Sequence, residues 1–293
     1  NPTFEKDHPR GGDGRFIAKV GGWVKYLDIR SGLWTKAVVE EFTKDGKVKL
    51  KDVNDGEEHL KPPKEIYSTD QPIARLDTAG WKKTGGQAGS NVGGFYQNSE
   101  GEEFYVKTPK TKAHTSNEDL ANRLYIAAGL PAPETAVSPD GKNFITKIEK
   151  STEWRALSGQ KLDEALEKVA DGFIVDAWLA NWDGPVNDNI RIRDDDGTPL
   201  RVDAGGALMF RARGEKRVLT PNVGELKTLR DKGKRGFYLY AKVTQQHEIE
   251  GTKKVLAISP DRIRAMVKEA NLPDQLATDL IARRAWLATH YSL

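Results

Sequence analysis

Short apolar stretches separated by turn-forming residues dominate the first part of the chain. Apolar segments that begin at Trp23, Trp34 and Val48 alternate with the turn sequences DIRSG, TKDGK and VNDGEE. This spacing is typical of β-hairpins. We therefore predict a small SH3-like or Tudor-like β-barrel over residues 20–72. A polar arm rich in glycine and proline precedes it over residues 1–19, and we expect this arm to be flexible or bound to a partner.

The pattern changes after a linker near residues 68–78. Apolar positions over residues 80–150 predict a β-rich lobe with a glycine-rich bend between two of its strands. One helix is predicted in this lobe over residues 116–128, with Ser116 or Asn117 as its N-terminal cap. The first lobe of a large domain over residues 73–293 is therefore predicted to be mainly β-sheet.

The rest of the chain, residues 151–293, is predicted to be mostly helical. Apolar residues recur at helical spacing at Leu162, Leu166, Val169, Phe173 and Ala177. They predict one amphipathic helix over LDEALEKVADGFIVDAWLAN. The turn sequence DDDGT farther along predicts a hairpin. The fold class is α+β, with a two-lobed domain that follows the small barrel.

The predicted hairpin brings oxygen-bearing side chains together. Asn189 opens its first strand and Asp203 follows its second, so both lie at its open end, while Asp183 is one loop away. Mg²⁺ prefers a few oxygen ligands together with phosphates, and a further carboxylate can accept a proton from an attacking hydroxyl or orient it. The alternative is that these residues supply only loop and turn chemistry.

Composition excludes several classes of function. The chain has no cysteine, which excludes disulfides, thiolate catalysis and cysteine-bound metals, and its five histidines are scattered. The formal net charge is only +3, and residues 1–78 contain 14 basic and 14 acidic residues, so nucleic-acid binding is not expected. Because no long apolar run or signal-peptide pattern is visible, we expect no membrane contact and a cytoplasmic location.

The β-rich lobe contains weaker signals. A glycine-rich bend lets backbone N–H groups approach phosphates, and Ser90 and Asn91 can add side-chain donors. Glycine-rich hairpins without a ligand are also common. Lys107 at the end of a strand is usually a solvated residue, and Glu118 near a helix start usually complements the helix dipole.

Taken in order, these pieces resemble the protein-kinase-like fold, and more closely its atypical branches, the HipA toxin kinases and the phosphatidylinositol kinases. The segments SNVGGFY, FYVK, LANRLYIAAGLPAPE, LANWDG, DNIRI and RVDAGGALMFRARG most closely resemble a kinase-like domain of phage-encoded head-morphogenesis proteins. The resemblance covers about residues 80–290 and leaves the predicted barrel and arm outside. It implies binding of ATP and Mg²⁺ and transfer of a phosphoryl or nucleotidyl group.

The resemblance also implies individual roles. Lys107 binds the nucleotide phosphates and is held in place by Glu118. The phosphates are covered by the loop residues Gly89, Ser90, Asn91, Gly93 and Gly94. The adenine is bound at a hinge by the backbone of Lys147, Ile148 and Glu149.

The acidic residues take the remaining roles, with two departures from the kinase pattern. Asp183 is the implied catalytic carboxylate, and Asn189 and Asp203 are the implied metal ligands. Typical kinases place the metal-binding Asn five residues after the catalytic Asp, a position that Asp188 occupies here. The usual Arg or His next to the catalytic Asp is replaced by Gly184-Pro185. The second metal ligand and the choice between phosphoryl and nucleotidyl transfer therefore stay open.

We expect an atypical kinase with a protein acceptor. The alternative is a catalytically silent kinase fold that serves as a structural or adaptor protein, with a partner in a phage particle; the location would then be the host cytoplasm or the virion. A third possibility is a nucleic-acid-binding module with an accessory nucleotide site. Trp23, Tyr26 and Trp34 form either a recognition surface or the core of the barrel.

Overall fold

The computed structural model divides the chain into two compact units, Asn1–Pro72 and Ile73–Leu293. The structure describes residues 23–28, 33–52, 57–62, 66–68, 76–186, 189–211, 213–234 and 236–293. The predicted flexible arm and Asp188 lie outside the described residues. Each unit is described by itself.

The first unit contains one antiparallel sheet of five strands. These are β1 (Trp23–Asp28), β2 (Leu33–Phe42), β3 (Val48–Asp52), β4 (Glu58–Lys61) and β5 (Ile66–Ser68), in the order β4-β3-β2-β1-β5. Its core consists of Val24, Ala37, Val39, Val48 and Leu50. Within the described residues β4 and β5 are the two edge strands and do not pair with each other, so no closed barrel is found. The side chains of Trp23, Tyr26 and Trp34 lie outside what the structure describes.

The second unit begins with another antiparallel sheet of five strands and one helix. The strands are β6 (Lys82–Gly85), β7 (Val92–Gln97), β8 (Glu103–Thr108), β9 (Thr135–Val137) and β10 (Phe144–Lys147), in the order β6-β7-β8-β10-β9. Helix α1 (Lys112–Ala127) connects β8 with β9. It begins four residues before the predicted start and ends before Gly129, which has a φ of +74°. Asn117, which was predicted as the helix cap, instead forms hydrogen bonds with the distant residues Ala207 and Met209.

The rest of the second unit is mainly helical. A small sheet is formed by β11 (Ser151–Glu153), β12 (Ile190–Arg193) and β13 (Pro199–Arg201), in that order. The helices are α2 (Gly159–Ala170), α3 (Phe173–Trp178), α4 (Asp183–Val186), α5 (Glu225–Thr228), α6 (Gln245–Leu256), α7 (Pro260–Glu269) and α8 (Asp274–His290). They surround a large apolar core in which α3 is buried along its whole length. The fold is therefore mixed α and β, with a sheet-rich part before a helical part.

The single amphipathic helix predicted over LDEALEKVADGFIVDAWLAN is wrong, because α2 ends at Ala170 and α3 begins at Phe173. The side chain of Arg201 lies against the break, where its Nη2 donates to the Val169 carbonyl at 3.2 Å. A Cβ on Gly172 would lie 1.8 Å from the same nitrogen. Only glycine therefore leaves room for the arginine, and the apolar spacing continues through the break.

Candidate functional site

Lys107 lies near the end of β8, where side chains alternate between the two faces of the sheet. Phe104 and Val106 enter the apolar cluster on one face, so Lys107 points to the other. The lysine is only 6% exposed. Its Nζ lies 2.6 Å from Glu118 Oε1 and 2.5 Å from Asp203 Oδ1. A buried ammonium group needs such partners, because burial without them would be costly.

Glu118 reaches the lysine from the second turn of α1. It is almost completely buried, which raises its pKa to about 8; the Lys107 ammonium opposes this shift and the Asp203 carboxylate adds to it. Burial would lower the pKa of Lys107, but the two carboxylates outweigh it and raise that pKa. Two acids thus compete for one cation.

Asp203 follows β13 and has left-handed backbone, with φ 51° and ψ 58°. Asp tolerates this conformation better than most residues, and such backbone concentrates at functional sites. Half of its side-chain surface is exposed, in contrast to Lys107 and Glu118. Partial burial opposes ionisation, yet the Lys107 ammonium holds the pKa of Asp203 below its usual value. The ionised carboxylate is therefore accessible from solvent.

The two glycines after Asp203 bring the other acids close to it. They belong to a 3₁₀ turn over Ala204–Gly206. A Cβ on Gly205 would lie 3.1 Å from Glu118 Oε2, and one on Gly206 would lie 2.8 Å from the Cβ of Asp183. The turn thus fits between both side chains, so the structure places Asp183 beside the cluster of Lys107, Glu118 and Asp203.

Buried hydrogen bonds hold the loop that contains Asp183. Asn181 Oδ1 accepts from the Gly184 N–H at 3.1 Å, and Asn181 Nδ2 donates to the Tyr125 hydroxyl at 2.8 Å. Tyr125 belongs to α1, the same helix as Glu118. The Gly184-Pro185 departure from the kinase pattern is accommodated because Pro185 lies in the first turn of α4, where its missing N–H costs nothing.

Asn189 lies at the open end of the hairpin, as predicted. Its carbonyl accepts from the Val202 N–H at 2.9 Å, which continues the pairing of β12 with β13. Among the described residues no three His, Asp or Glu side chains cluster so as to hold a metal ion. Of the predicted metal ligands the structure describes Asp203 and Asn189, whereas Asp188 is outside the described residues.

The glycine-rich bend is shorter than predicted. The loop between β6 and β7 contains Gly89, with a φ of +88°, while Gly93 and Gly94 lie within β7. A Cβ on Gly93 would come within 3.0 Å of the Tyr105 hydroxyl, and one on Gly94 within 2.8 Å of Lys83 Cε. These two glycines therefore make room for neighbouring side chains and for the backbone of the adjacent strands.

The loop itself is fastened by a tyrosine. The Tyr105 hydroxyl accepts from the Ala88 N–H at 2.9 Å and donates to the Ala88 carbonyl. Tyr105 and Lys107 lie on the same face of β8, because they are two residues apart. The loop that contains Gly89, Ser90 and Asn91 is thus anchored on the face from which Lys107 extends.

The predicted hinge has few free donors. The Lys147 N–H donates to the Glu134 carbonyl at 2.9 Å, and the Ile148 N–H donates to the Glu103 carbonyl at 2.8 Å. The Lys147 ammonium lies 2.5 Å from Glu102 Oε1. The Glu149 side chain pairs with Arg193 at 2.9 Å. The N–H groups of Lys147 and Ile148 therefore hold the sheet together.

Sequence reasoning missed the buried charge cluster beneath the site. Asp176 accepts hydrogen bonds from the Tyr125 and Tyr240 hydroxyls and from two nitrogens of Arg201. One signal was available: Asp176 is the only charged residue in the apolar run FIVDAWLA. A lone acid in such a run indicates a buried acid with a partner.

Solved kinase structures resemble this chain. The proinflammatory kinase CtkA of Helicobacter pylori matches with a TM-score of 0.50 and 16% sequence identity, covering 74% of this chain and 98% of that one. The Golgi casein kinase matches with a TM-score of 0.40 and 10% identity, covering 76% and 73%. The similarity to CtkA shows that the chain has a kinase-like fold.

Other comparisons add no relatives. No family model and no curated protein matches the chain. The predicted relationship to phage head-morphogenesis proteins therefore finds no support. None of the helices in the described part of the chain is long and apolar enough to cross a membrane.

Proposed function

We propose that this protein is an atypical kinase that transfers the γ-phosphoryl group of ATP to a hydroxyl group of a protein acceptor. The observation that carries the proposal is the contact of Lys107 with both Glu118 and Asp203, which places one cation and an exposed carboxylate beside Asp183. Such a set suits phosphoryl transfer, where positioning and charge stabilisation supply most of the catalysis.

The residues have separate tasks in this reaction. Lys107 binds phosphate oxygens, and Glu118 holds the lysine in place. Asp183 orients the acceptor hydroxyl and takes its proton as the new oxygen–phosphorus bond forms. The bond between the β-γ bridging oxygen and the γ-phosphorus breaks, and ADP leaves with that oxygen. The loop of Gly89, Ser90 and Asn91 covers the phosphates.

The residues present fit Mg²⁺ as a cofactor. Mg²⁺ usually binds one or two protein carboxylates together with substrate phosphates, so it does not need a cage of three acidic side chains. The ionised, half-exposed Asp203 is a suitable ligand, and the Asn189 amide is a suitable second one. Bound there, the ion would neutralise phosphate charge.

Nucleotide binding is tested by thermal unfolding and calorimetry with ATP and Mg²⁺, separately and together. A ligand that binds only the folded chain raises the melting temperature by mass action. We expect a rise with both present and a smaller one with ATP alone. No shift and no heat would support the silent structural alternative. ATP labelled at the γ- or the α-phosphate then separates phosphoryl from nucleotidyl transfer.

The second metal ligand is tested by two matched variants. If Asn189 holds the ion, Asn189→Ala should increase the Mg²⁺ concentration needed for ATP binding more than Asp188→Ala does. The reverse order would assign the ligand to Asp188, at the spacing that typical kinases use.

A further inference from the structure

Exposed cations are concentrated on a hairpin that follows the Asp203 turn. The Arg211 N–H donates to the Glu215 carbonyl at 2.8 Å, and Phe210 pairs with Lys216 across the hairpin. Gly214 has a φ of +80°, which lets the chain reverse. The side chains of Arg211, Arg213 and Lys216 are exposed. Within the described residues none of these three forms an ion pair, and Glu215 is the only acid on the hairpin.

The hairpin is held firmly against α1 and the segment before it. The His114 ring stacks on Phe210 at 3.8 Å, and Lys110 Nζ donates to the Arg213 carbonyl at 2.8 Å. Lys110 therefore adds another cation to the hairpin. This backbone is a fixed platform, because side chains from α1 and from the segment before it contact the hairpin at Phe210 and at its turn.

Arg217 connects the hairpin with the turn that touches Asp183. Its Nη2 donates to the Gly206 and Phe210 carbonyls, both at 2.9 Å, and its Nε donates to the Leu208 carbonyl at 3.0 Å. Burial lowers the pKa of Arg217 to about 10. Since Gly206 lies against Asp183, the hairpin has a fixed position relative to the proposed catalytic acid.

A second basic turn lies on another side of the Asp183 loop. It contains the exposed residues Lys232 and Lys234, and Gly236 follows them. A Cβ on Gly236 would lie 2.5 Å from the Cβ of Pro185, so the turn ends directly against α4. In the described part of the chain neither lysine forms an ion pair. Many basic residues elsewhere do, for example Lys49 and Arg193.

We propose that the basic surface formed by Arg211, Arg213, Lys216, Lys232 and Lys234 binds an acidic segment of the protein acceptor. The inference rests on the proposed function, because it places the acceptor hydroxyl at Asp183. Like charges that lack partners repel one another, and a complementary acidic segment would relieve that repulsion. Val218 and Tyr238, exposed by 85% and 69%, offer apolar contacts next to the cations.

An acidic peptide fits better than a nucleic acid. The cations lie on two short turns, and the whole chain has a net charge of only +3. Nucleic-acid affinity grows with the number of phosphates neutralised along a strand, and it needs a longer basic track or a stronger overall field. A peptide with a few carboxylates around one hydroxyl matches the extent of this surface.

The test measures peptide binding without turnover. A labelled peptide of Glu residues around a central Ser, Thr or Tyr is titrated with the full chain and followed by fluorescence anisotropy. Matched probes are the same peptide with Lys in place of Glu and a single-stranded oligonucleotide of equal charge. We expect the acidic peptide to bind and the affinity to fall between about 0.05 M and about 0.3 M salt, since surface charges are screened.

Charge reversal then identifies the surface. The variant Arg211→Glu/Arg213→Glu/Lys216→Glu should weaken acidic-peptide binding about tenfold or more. The variant Lys82→Glu/Lys161→Glu/Lys268→Glu makes the same change of net charge on β6, α2 and α7 and should stay within about twofold. Substitution of the three hairpin cations by Gln, which leaves no new charge to disturb folding, should give an intermediate loss.

Four results would overturn the inference. Equal binding of the acidic and basic peptides would show that the chain does not recognise the peptide's charge. Equal losses of peptide affinity in the hairpin and control variants would show that the hairpin is not the binding site. Tighter binding of the oligonucleotide would assign the surface to nucleic acid. A hairpin variant that loses affinity for Mg·ATP as strongly as for peptide would place these cations at the nucleotide phosphates. Failure of the kinase proposal looks different, because Mg·ATP binding and label transfer would then be absent while peptide binding persists.

Discussion

Two of the buried charge clusters in the described part of the second unit differ in how completely their charges are matched. In one, Arg201 and Asp176 are only 2% and 1% exposed, and the carboxylate accepts from two tyrosines and two guanidinium nitrogens. In the other, Lys107 faces two acids, of which Asp203 is half exposed on left-handed backbone.

The difference separates a structural ion pair from a ligand site. The Asp176 carboxylate has no capacity left for a further partner, and burial together with its charge raises the pKa of both tyrosines, which keeps their hydrogens in place. The Lys107 cluster contains one more acid than base, and its Asp203 is open to solvent. A ligand that brings positive charge to Asp203 and phosphate oxygens to Lys107 would therefore find a partner for each charge.

Substitution at the structural pair should have the largest effect. Asp176→Asn leaves the Arg201 guanidinium buried without a counter-charge, so we expect the free energy of unfolding to fall by about 3–5 kcal/mol. The control is Asp261→Asn on the surface of α7, which should change it by less than about 0.5 kcal/mol. Urea unfolding measures both, and equal effects would contradict the distinction between the clusters.

Lys107→Met should act mainly on function. We expect phosphoryl transfer from γ-labelled ATP, to casein or to water, to fall about 10²- to 10³-fold, because a charge that stabilises the transition state is lost. Unfolding free energy should fall less than in Asp176→Asn, since the pKa of Glu118 is raised to about 8 and its carboxyl group is therefore protonated at neutral pH, so no buried charge is left unpaired there. Lys82→Met on the exposed edge strand serves as control. If Lys107→Met lost as much unfolding free energy as Asp176→Asn, the role of Lys107 would be structural.

Ionisation of Glu118 should make the stability of the folded chain depend on pH. Burial raises its pKa from 4.5 to about 8. The folded chain therefore keeps a proton that the unfolded chain has already lost, and this contribution to stability is complete below pH 4.5 and declines as pH rises to about 8. Urea midpoints in metal-free buffer should show the decline, and Glu118→Gln should flatten it. An unchanged slope in this variant would mean that Glu118 ionises normally.

The two glycines give the smallest and most local test. In Gly206→Ala the new Cβ meets the rigid Cβ of Asp183, so we expect transfer to fall about tenfold through misplacement of that acid, with ATP affinity nearly unchanged. In Gly205→Ala it meets the end of the Glu118 side chain at 3.1 Å, and the loss should stay within about threefold. A larger loss of transfer in Gly205→Ala than in Gly206→Ala would show that Asp183 does not act on the reacting groups.

The contact of Lys107 with Glu118 was expected only through the resemblance to kinases, because the sequence pattern alone favoured a solvated lysine and a glutamate at the helix dipole. The contact of Lys107 with Asp203 became visible only in the folded chain. Their roles stay predictions. Periodicity could not reveal the break between α2 and α3, because the apolar spacing of the two helices is continuous. The break depends on Arg201, which arrives from a distant strand.

Other features needed the folded chain as well. Asn117 looked like a helix cap, yet its amide donates to the Ala207 carbonyl at 3.0 Å and accepts from the Met209 N–H at 3.0 Å. The presence of a polar residue in the sequence predicts a hydrogen bond but does not identify the partner. For the same reason the sequence did not show that the N–H groups of Lys147 and Ile148 are already bonded within the sheet.

The separate roles of Asp203 and Asp183 are tested by calorimetric titration of the wild type, Asp203→Asn and Asp183→Asn with Mg·ATP. We expect Asp203→Asn to lose Mg²⁺-dependent ATP binding, because the metal ligand is neutralised, while Asp183→Asn binds Mg·ATP nearly as tightly as the wild type and fails only in transfer. Loss of binding in Asp183→Asn, or full Mg²⁺-dependent binding in Asp203→Asn, would contradict these roles.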